Sequence, residues 1–327
     1  MSQLSLFGDE APSSSELEPV PPPDPSLARL ASHLPDSLRL GTCSWTFPGW
    51  DVVYRREYRS DRNFRRESLA EYAAFPLFRA VEVDSTYYAP PTIKSLEAML
   101  ERAGGIEFAL KVWSELTTFV FPRHARFGDR AGMRNPTFLD PAIFEQQVIA
   151  PIREAGFGPL GPLILEIPPI PSGALDAPAL ERSLARFLAQ APEGYSYAVE
   201  LRNPALLTER HAALLRDHGA AHVFTYHARM PSIASQRAIV GIAGAPFVIA
   251  RLMLPPGTRY QDQKERFEPF DRIHEVQPEM RREVCALIED ASESALPTYV
   301  FCNNKAEGSS PLTALGLAQM IAGDAAA

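Results

Sequence analysis

The sequence predicts an α/β protein folded as a single (β/α)8 barrel of the TIM type. Three observations predict it. Eight short apolar segments recur along the chain, helically spaced stretches separate them, and several of the segments run directly into charged or amide residues at the same relative point. Strands alternating with helices imply a parallel sheet, eight of them fit a closed barrel, and the carboxyl ends of such strands carry the chemistry. The 327 residues, 46% of them hydrophobic, are enough for one barrel of about 250 residues plus a tail.

In chain order, residues 1–37 are expected to form a disordered tail. Ser13–Ser15 and Pro21–Pro23, with acids between them, cannot bury enough apolar surface to order the segment. Residues 38–327 are expected to form the barrel domain, with strands at about 38–45, 78–86, 107–113, 162–168, 196–202, 221–227, 247–253 and 297–303. Leu96, Met99 and Leu100 carry helical spacing after the second strand, as do Leu180, Leu184, Phe187 and Leu188 after the fourth. Asp140-Pro141 and Asp176-Ala-Pro open helices with a capping carboxylate and an early proline. Long connections at about 46–65, 114–139 and 254–274 all fall on the carboxyl face, where such loops build binding sites.

Residues two apart on a strand share a face. That parity gathers Glu82, Asp84, Lys111, Glu166, Glu200, Arg202, Arg251 and Asn303 into a ring at the barrel mouth, with Val81, Val83, Val199 and Leu201 turned to the helices. Mixed carboxylates and cations in a cleft shift one another's pKa values, as acid–base chemistry requires. A satisfied ion-pair network without chemistry is the competing reading, since burying charge is costly unless it is paired. Lys111 and the arginines suit a phosphate or carboxylate group, and a glutamate can move a proton. Of seven histidines, only His227 ends a strand at the mouth; His211, His218 and His222 are expected to be solvated around the fifth helix. Glu82, Asp84, Glu200 and His227 would make an oxygen-rich divalent-metal site, which one histidine supports thinly. Cys43, Cys285 and Cys302 are too few for a disulfide framework, and Cys43 and Cys302 read as core thiols on neighbouring strands rather than a redox pair. A net charge of −8 argues against a surface that binds nucleic acid throughout. No apolar run of about 18 residues and no signal segment is present, so no membrane contact is expected and the cytoplasm is the expected compartment.

Gly41-Thr-Cys-Ser-Trp45 with Trp50, Val81-Glu-Val-Asp-Ser-Thr-Tyr-Tyr88, Ala109-Leu-Lys111, Gly161-Pro-Leu163 with Ile167-Pro-Pro169, Glu200-Leu-Arg202 and Asn303-Asn304 occur in that order. This ordered set closely resembles the YecE-like family, domain of unknown function 72 (DUF72), over about residues 38–322. The resemblance implies a TIM-type barrel and brings no established reaction. It marks Ser44, Trp45, Glu82, Ser85, Thr86, Tyr88, Lys111, Glu200, Arg202 and Asn303 as site residues. The chain departs from the family where Arg-Leu-His-Gly usually follows the seventh strand: Arg251-Leu252-Met253-Leu254 stands there, without the histidine. Glu166 stands where a glutamine is common.

Gln3-Leu4-Ser5-Leu6-Phe7 matches the peptide by which bacterial DNA polymerases and repair proteins dock on the sliding clamp. Gln3 would anchor the backbone while Leu6 and Phe7 fill an apolar pocket, with Leu4 also among the partner-binding residues, all presented from an extended tail. Arg55, Arg56, Arg59, Arg62, Arg65 and Arg66 cluster with Tyr54, Tyr58 and Phe64 in the first long loop, and Arg123, Arg126, Arg130 and Arg134 occupy the second. Interleaved arginines and aromatics suit phosphate backbones and unstacked bases, although nearby acids also explain them as a solvated surface. Two function classes therefore stand. One is an enzyme acting on a polar or phosphate-bearing ligand, with Glu82, Lys111 and Glu200 as acid–base residues and a link to DNA metabolism through the tail. The other is a non-catalytic module that binds a ligand or nucleic acid.

Overall fold

The computed structural model describes residue 20 and residues 22–323. Eight strands run β1 (Leu38–Thr42), β2 (Ala80–Val83), β3 (Glu107–Lys111), β4 (Leu160–Ile167), β5 (Tyr197–Leu201), β6 (Ala221–Tyr226), β7 (Val248–Leu252) and β8 (Thr298–Cys302). Each pairs in parallel with its sequence neighbour, and β1 pairs with β8 to close the barrel. All eight lie within the ranges expected from the sequence or overrun them by two residues. The caps behave as their chemistry requires: Asp140 accepts from the Ala142 and Ile143 amides, and Asp176 from the Ala179 amide.

Inside the barrel, Ala80, Ala109, Ile164, Ala198, Val223, Ile249 and Phe301 form an apolar layer. Small residues on β2, β3 and β5 leave room for Ile164, Ile249 and Phe301. Outside it, the larger cluster joins the outward strand residues Val81, Leu110, Leu165, Val199 and Leu201 to the helices. At the β1–β2 seam the Tyr72 hydroxyl wedges between the strands, accepting from the Thr42 amide at 3.0 Å and donating to the Ala80 carbonyl at 3.1 Å. Gly41 permits this approach, because a Cβ there would lie 2.0 Å from that same carbonyl oxygen.

One boundary differs from the sequence expectation. Residues 25–37, assigned to the tail, are built into the domain. Asp24 caps the helix Pro25–Ala31, accepting from the Ser26 amide. Leu27, Leu30 and Leu34, spaced to share a helical face, are buried in the main core. The helix contacts the C-terminal helix Ser310–Ala322, and Arg79 donates to the Pro35 carbonyl at 3.0 Å. Three leucines within eight residues outweigh the flanking prolines. The segment 1–19, including Gln3–Phe7, lies outside the described residues.

Candidate functional site at the barrel mouth

The last inward positions of β2, β3, β4, β5 and β7 deliver Glu82, Lys111, Glu166, Glu200 and Arg251 to one level of the barrel. Arg251 is fully buried and is the hub. Its Nε and Nη2 donate to Glu82 at 2.8 and 2.6 Å, and its Nη1 donates to Glu166 at 2.7 Å and also to Glu200. Arg202 Nη2 donates to Glu166 at 3.2 Å and lies 2.7 Å from Glu200 Oε1, an ion pair off the hydrogen-bonding angle. Lys111 Nζ donates to Asp84 at 2.8 Å, lies 3.1 Å from Glu166 and sits 3.9 Å from the centre of the Tyr87 ring.

Environment separates these groups. Burial pushes Glu82 above the ordinary carboxylate range, and Arg251 only partly offsets it. Burial would raise Glu166 too, but Lys111, Arg202 and Arg251 together hold it well below that range. For Lys111, burial opposes the charge, and Asp84 and Glu166 overcome it, so its pKa stands above the usual lysine value. The ring thus has its cations already paired with carboxylates. Its four acids outnumber its three bases by one.

Above the ring lies a two-lobed cleft. One lobe, beside β1 and β8, has a volume of about 210 Å³ and is lined by Ser44, Trp45, Thr46, Phe47, Trp50, Arg65, Ser85, Asn304 and Ser310. The other, of about 240 Å³, lies over β3–β7 and is lined by Tyr87, Lys111, Glu166, Pro169, Arg202, His227, Met253 and Leu254. Cys43, Asp84, Tyr88, Tyr260, Asn303 and Lys305 border both. In the first lobe the Trp45 indole and the Asn304 amide are buried, yet Trp45 Nε1 and Asn304 Nδ2 have no acceptor among the described residues. The Asn304 carbonyl oxygen, by contrast, is fully used by Trp50 Nε1 and by the Ser310 amide and hydroxyl. Buried donors without partners are uncommon and costly, and Arg202 Nε beside the second lobe is likewise without a partner among the described residues.

The expected site residues divide by depth. Asp84, Lys111, Glu166 and Arg202 line the cleft, and so do Ser44, Trp45, Ser85, Tyr88 and Asn303. Glu82, Glu200 and Arg251 are wholly buried beneath it and line neither lobe. Asp84 is not a strand residue, because β2 ends at Val83 and Asp84 leads into the helical turn Ser85–Tyr88. Thr86 is structural: its hydroxyl lies 2.8 and 2.7 Å from the Val83 and Lys111 carbonyls, tying that turn to β3. Asn303 caps the turn Asn304–Glu307.

Other expectations need correction. His211 and His222 are buried rather than solvated, with ring centres 5.7 Å apart. The parity of β6 turns His222 outward onto the inner face of the helix Glu209–Asp217, which carries His211. Burial lowers His211 to about 3 and His222 to about 4, so both are neutral. His227 does line the second lobe, lowered to about 4 by burial and by Arg202. The suggested metal site does not assemble: Arg251 and Arg202 occupy the glutamates, and no group of three or more His, Cys, Asp or Glu among the described residues is placed to hold a metal. Cys43 belongs to the interior cluster and Cys302 to the outer one, and burial raises both thiols. Much of the arginine cluster is used locally: Arg56 binds Glu71, Arg66 binds Glu67, Arg130 binds Glu115, and Arg55 donates to the Pro22 carbonyl.

Arg65, read from the sequence as part of the arginine cluster at the rim of the carboxyl face, lines the first lobe; sequence reasoning missed Tyr260 and Lys305. Tyr260 lies in the third long loop, whose position was the available signal. For Lys305 the signal was its place directly after Asn303-Asn304.

The family model for the protein of unknown function DUF72 matches residues 39–327, and the chain belongs to that family. A DUF72 family protein from Thermotoga maritima MSB8 is 21% identical, with a TM-score of 0.58 over 87% of this chain and 98% of that one. Another, from Enterococcus faecalis V583, is 14% identical, with a TM-score of 0.57 over 87% of this chain and 95% of that one. At these identities the likeness speaks for the fold alone. No curated protein matches the chain. Among the described residues no helix is long and apolar enough to cross a membrane.

Proposed function

We propose that this member of the DUF72 family is an enzyme that seats a phosphate- or carboxylate-bearing polar ligand across the two lobes of the barrel mouth. The observation that carries this reading is the lining of the first lobe, where Ser44, Ser85 and Asn303 stand with two cations, Arg65 and Lys305, that pair with no carboxylate among the described residues. The acceptor-rich end of the ligand belongs there rather than at Lys111 or Arg202, which already hold carboxylates. The reacting end then lies over Glu166, Asp84 and Lys111. Glu82 and Glu200, lying deeper, act as positioning residues by holding Arg251 beneath Glu166. Titration of the full chain with glycerol 3-phosphate, inorganic phosphate and glycerol tests the reading. Both phosphates should bind and glycerol should not; equal or absent binding of all three would sink it.

A recruited form of the same enzyme is favoured by Gln3–Phe7. An extended peptide of this pattern suits the apolar pocket of a bacterial sliding clamp. Binding of the full chain to such a clamp, lost on changing Leu6 and Phe7 to alanine, would support a role in DNA metabolism. No binding by the intact chain would remove that role and leave the mouth unaffected.

A further inference from the structure

Only four of the 32 basic residues in this chain are lysines: Lys94, Lys111, Lys264 and Lys305. Two of the four reach the barrel mouth. Lys111 is committed to Asp84 and Glu166. Lys305 is not, since no carboxylate pairs with its ammonium among the described residues. It follows the Asn303-Asn304 pair after β8 and stands where the two lobes meet. Its Nζ lies 4.5 Å from the centre of the Tyr260 ring and 5.9 Å from that of Phe270.

The charged and titratable groups around Lys305 are Cys43 after β1, Asp84 after β2, and Tyr260 and Lys264 on the helix Tyr260–Phe267. Burial is the strongest influence and lowers its pKa. Cys43 and Asp84 work against that, and Lys264 adds to it, leaving the amine below the ordinary lysine value. The ring faces favour the ammonium form, but they are weak compared with a carboxylate partner. A side chain kept here only for its charge would be served by arginine, the abundant cation of this chain. Arginine cannot become a free amine, and lysine can.

We propose that Lys305 is a nucleophilic lysine that forms an imine with an aldehyde or ketone group of the ligand seated in the two-lobed cleft. This rests on the reading of the mouth given above and adds the substrate class, a carbonyl compound that also carries the anionic group. The amine lone pair forms a C–N bond to the carbonyl carbon, and the amine proton passes to the oxygen. A second proton lets that oxygen leave as water, giving the protonated imine. Asp84, which borders both lobes, is the carboxylate placed to carry these protons. Breaking a C–H or C–C bond beside the imine carbon then sends its electron pair toward the nitrogen, and water later restores the amine. No oxidant or reductant is needed.

Reductive methylation of the folded full chain with formaldehyde and cyanoborohydride at pH 7, read lysine by lysine by peptide mass spectrometry, tests the proposal. Lys305 should be modified on the order of tenfold faster than the more open Lys94 and Lys264. Lys305→Arg should lose this fast phase while keeping its melting temperature. Modification of Lys305 no faster than Lys94 and Lys264, or a fast phase that persists in the variant, would overturn it. Formaldehyde needs no phosphate site, so failure here is distinct from failure to bind glycerol 3-phosphate.

Discussion

On the β3–β7 side of the mouth, Lys111, Arg202 and Arg251 are paired with Asp84, Glu82, Glu166 and Glu200, and Arg202 Nε is the donor left without a partner among the described residues. On the β1–β8 side, among the described residues, Trp45 Nε1 and Asn304 Nδ2 have no acceptor and neither Lys305 nor Arg65 is in a salt bridge with a carboxylate. The two sides share a wall at Asp84, Tyr88, Tyr260, Asn303 and Lys305. Charge counting alone would send an anion to the first side, where most cations stand. Under the proposed function pairing favours the second, because a cation already bound to carboxylates has little attraction left for a new anion. In that reading the paired side is the floor and the other side receives the ligand.

The largest expected effect breaks the floor. Arg251→Met leaves Glu82 and Glu200 buried without their main partner, at a cost of about 3–5 kcal/mol in chemical denaturation. Adding Glu82→Gln to that variant should recover part of the loss, since one buried charge is then gone. A loss under about 1 kcal/mol would mean that the floor is not held by pairing.

A second test asks whether buried groups without partners behave as the contrast implies, at a pair of histidines that line neither lobe. His211 has no hydrogen-bond partner among the described residues, and His222 has only a long contact to Gln236, at 3.4 Å. Their folded pKa values, about 3 and about 4, lie below the unfolded value near 6.5. Below that value the unfolded chain binds protons that the folded chain refuses. Stability is therefore full above about pH 6.5 and falls as pH drops toward 4, by about 2 kcal/mol per histidine at pH 5. Urea denaturation at pH 7 and pH 5 should show this loss, and a His211→Leu, His222→Phe variant should flatten it. An equally steep profile in the variant would assign the loss to other groups, His227 first among them.

The smallest effect sharpens the receptor side. Arg65 is exposed, so Arg65→Ala should change stability by less than about 0.5 kcal/mol. The same variant should weaken glycerol 3-phosphate binding about tenfold, which is about 1.4 kcal/mol. Unchanged affinity would move the anion to the other lobe and reverse the comparison.

The sequence was legible where a residue's role depends on its strand and its parity. β2 and β5 show this: Glu82 and Glu200 alternate with valines and leucines, and both point inward as parity requires. Legibility failed where a role depends on a partner far along the chain. His222 alternates on β6 like any strand residue, and nothing local says that its outward face meets His211 rather than water. Leu27, Leu30 and Leu34 form a readable stripe, but the neighbouring prolines masked it. Depth was equally hidden. Glu166 and Glu200 are register partners on adjacent strands, yet only Glu166 borders the cleft.

Local sequence was enough to specify the barrel, its eight strands and most of the charged side chains that gather at the carboxyl ends of those strands. These follow from alternation, helical spacing and capping, all set by neighbours a few residues away. Only the tertiary structure decided which charges are spent on one another and which donors are left over. Arg251 meets Glu82 across 169 residues and Trp50 meets Asn304 across 254. Pairing at such separations depends on barrel closure, which brings β1 against β8 and, among the described residues, leaves Lys305 between the two lobes with no carboxylate in a salt bridge to it.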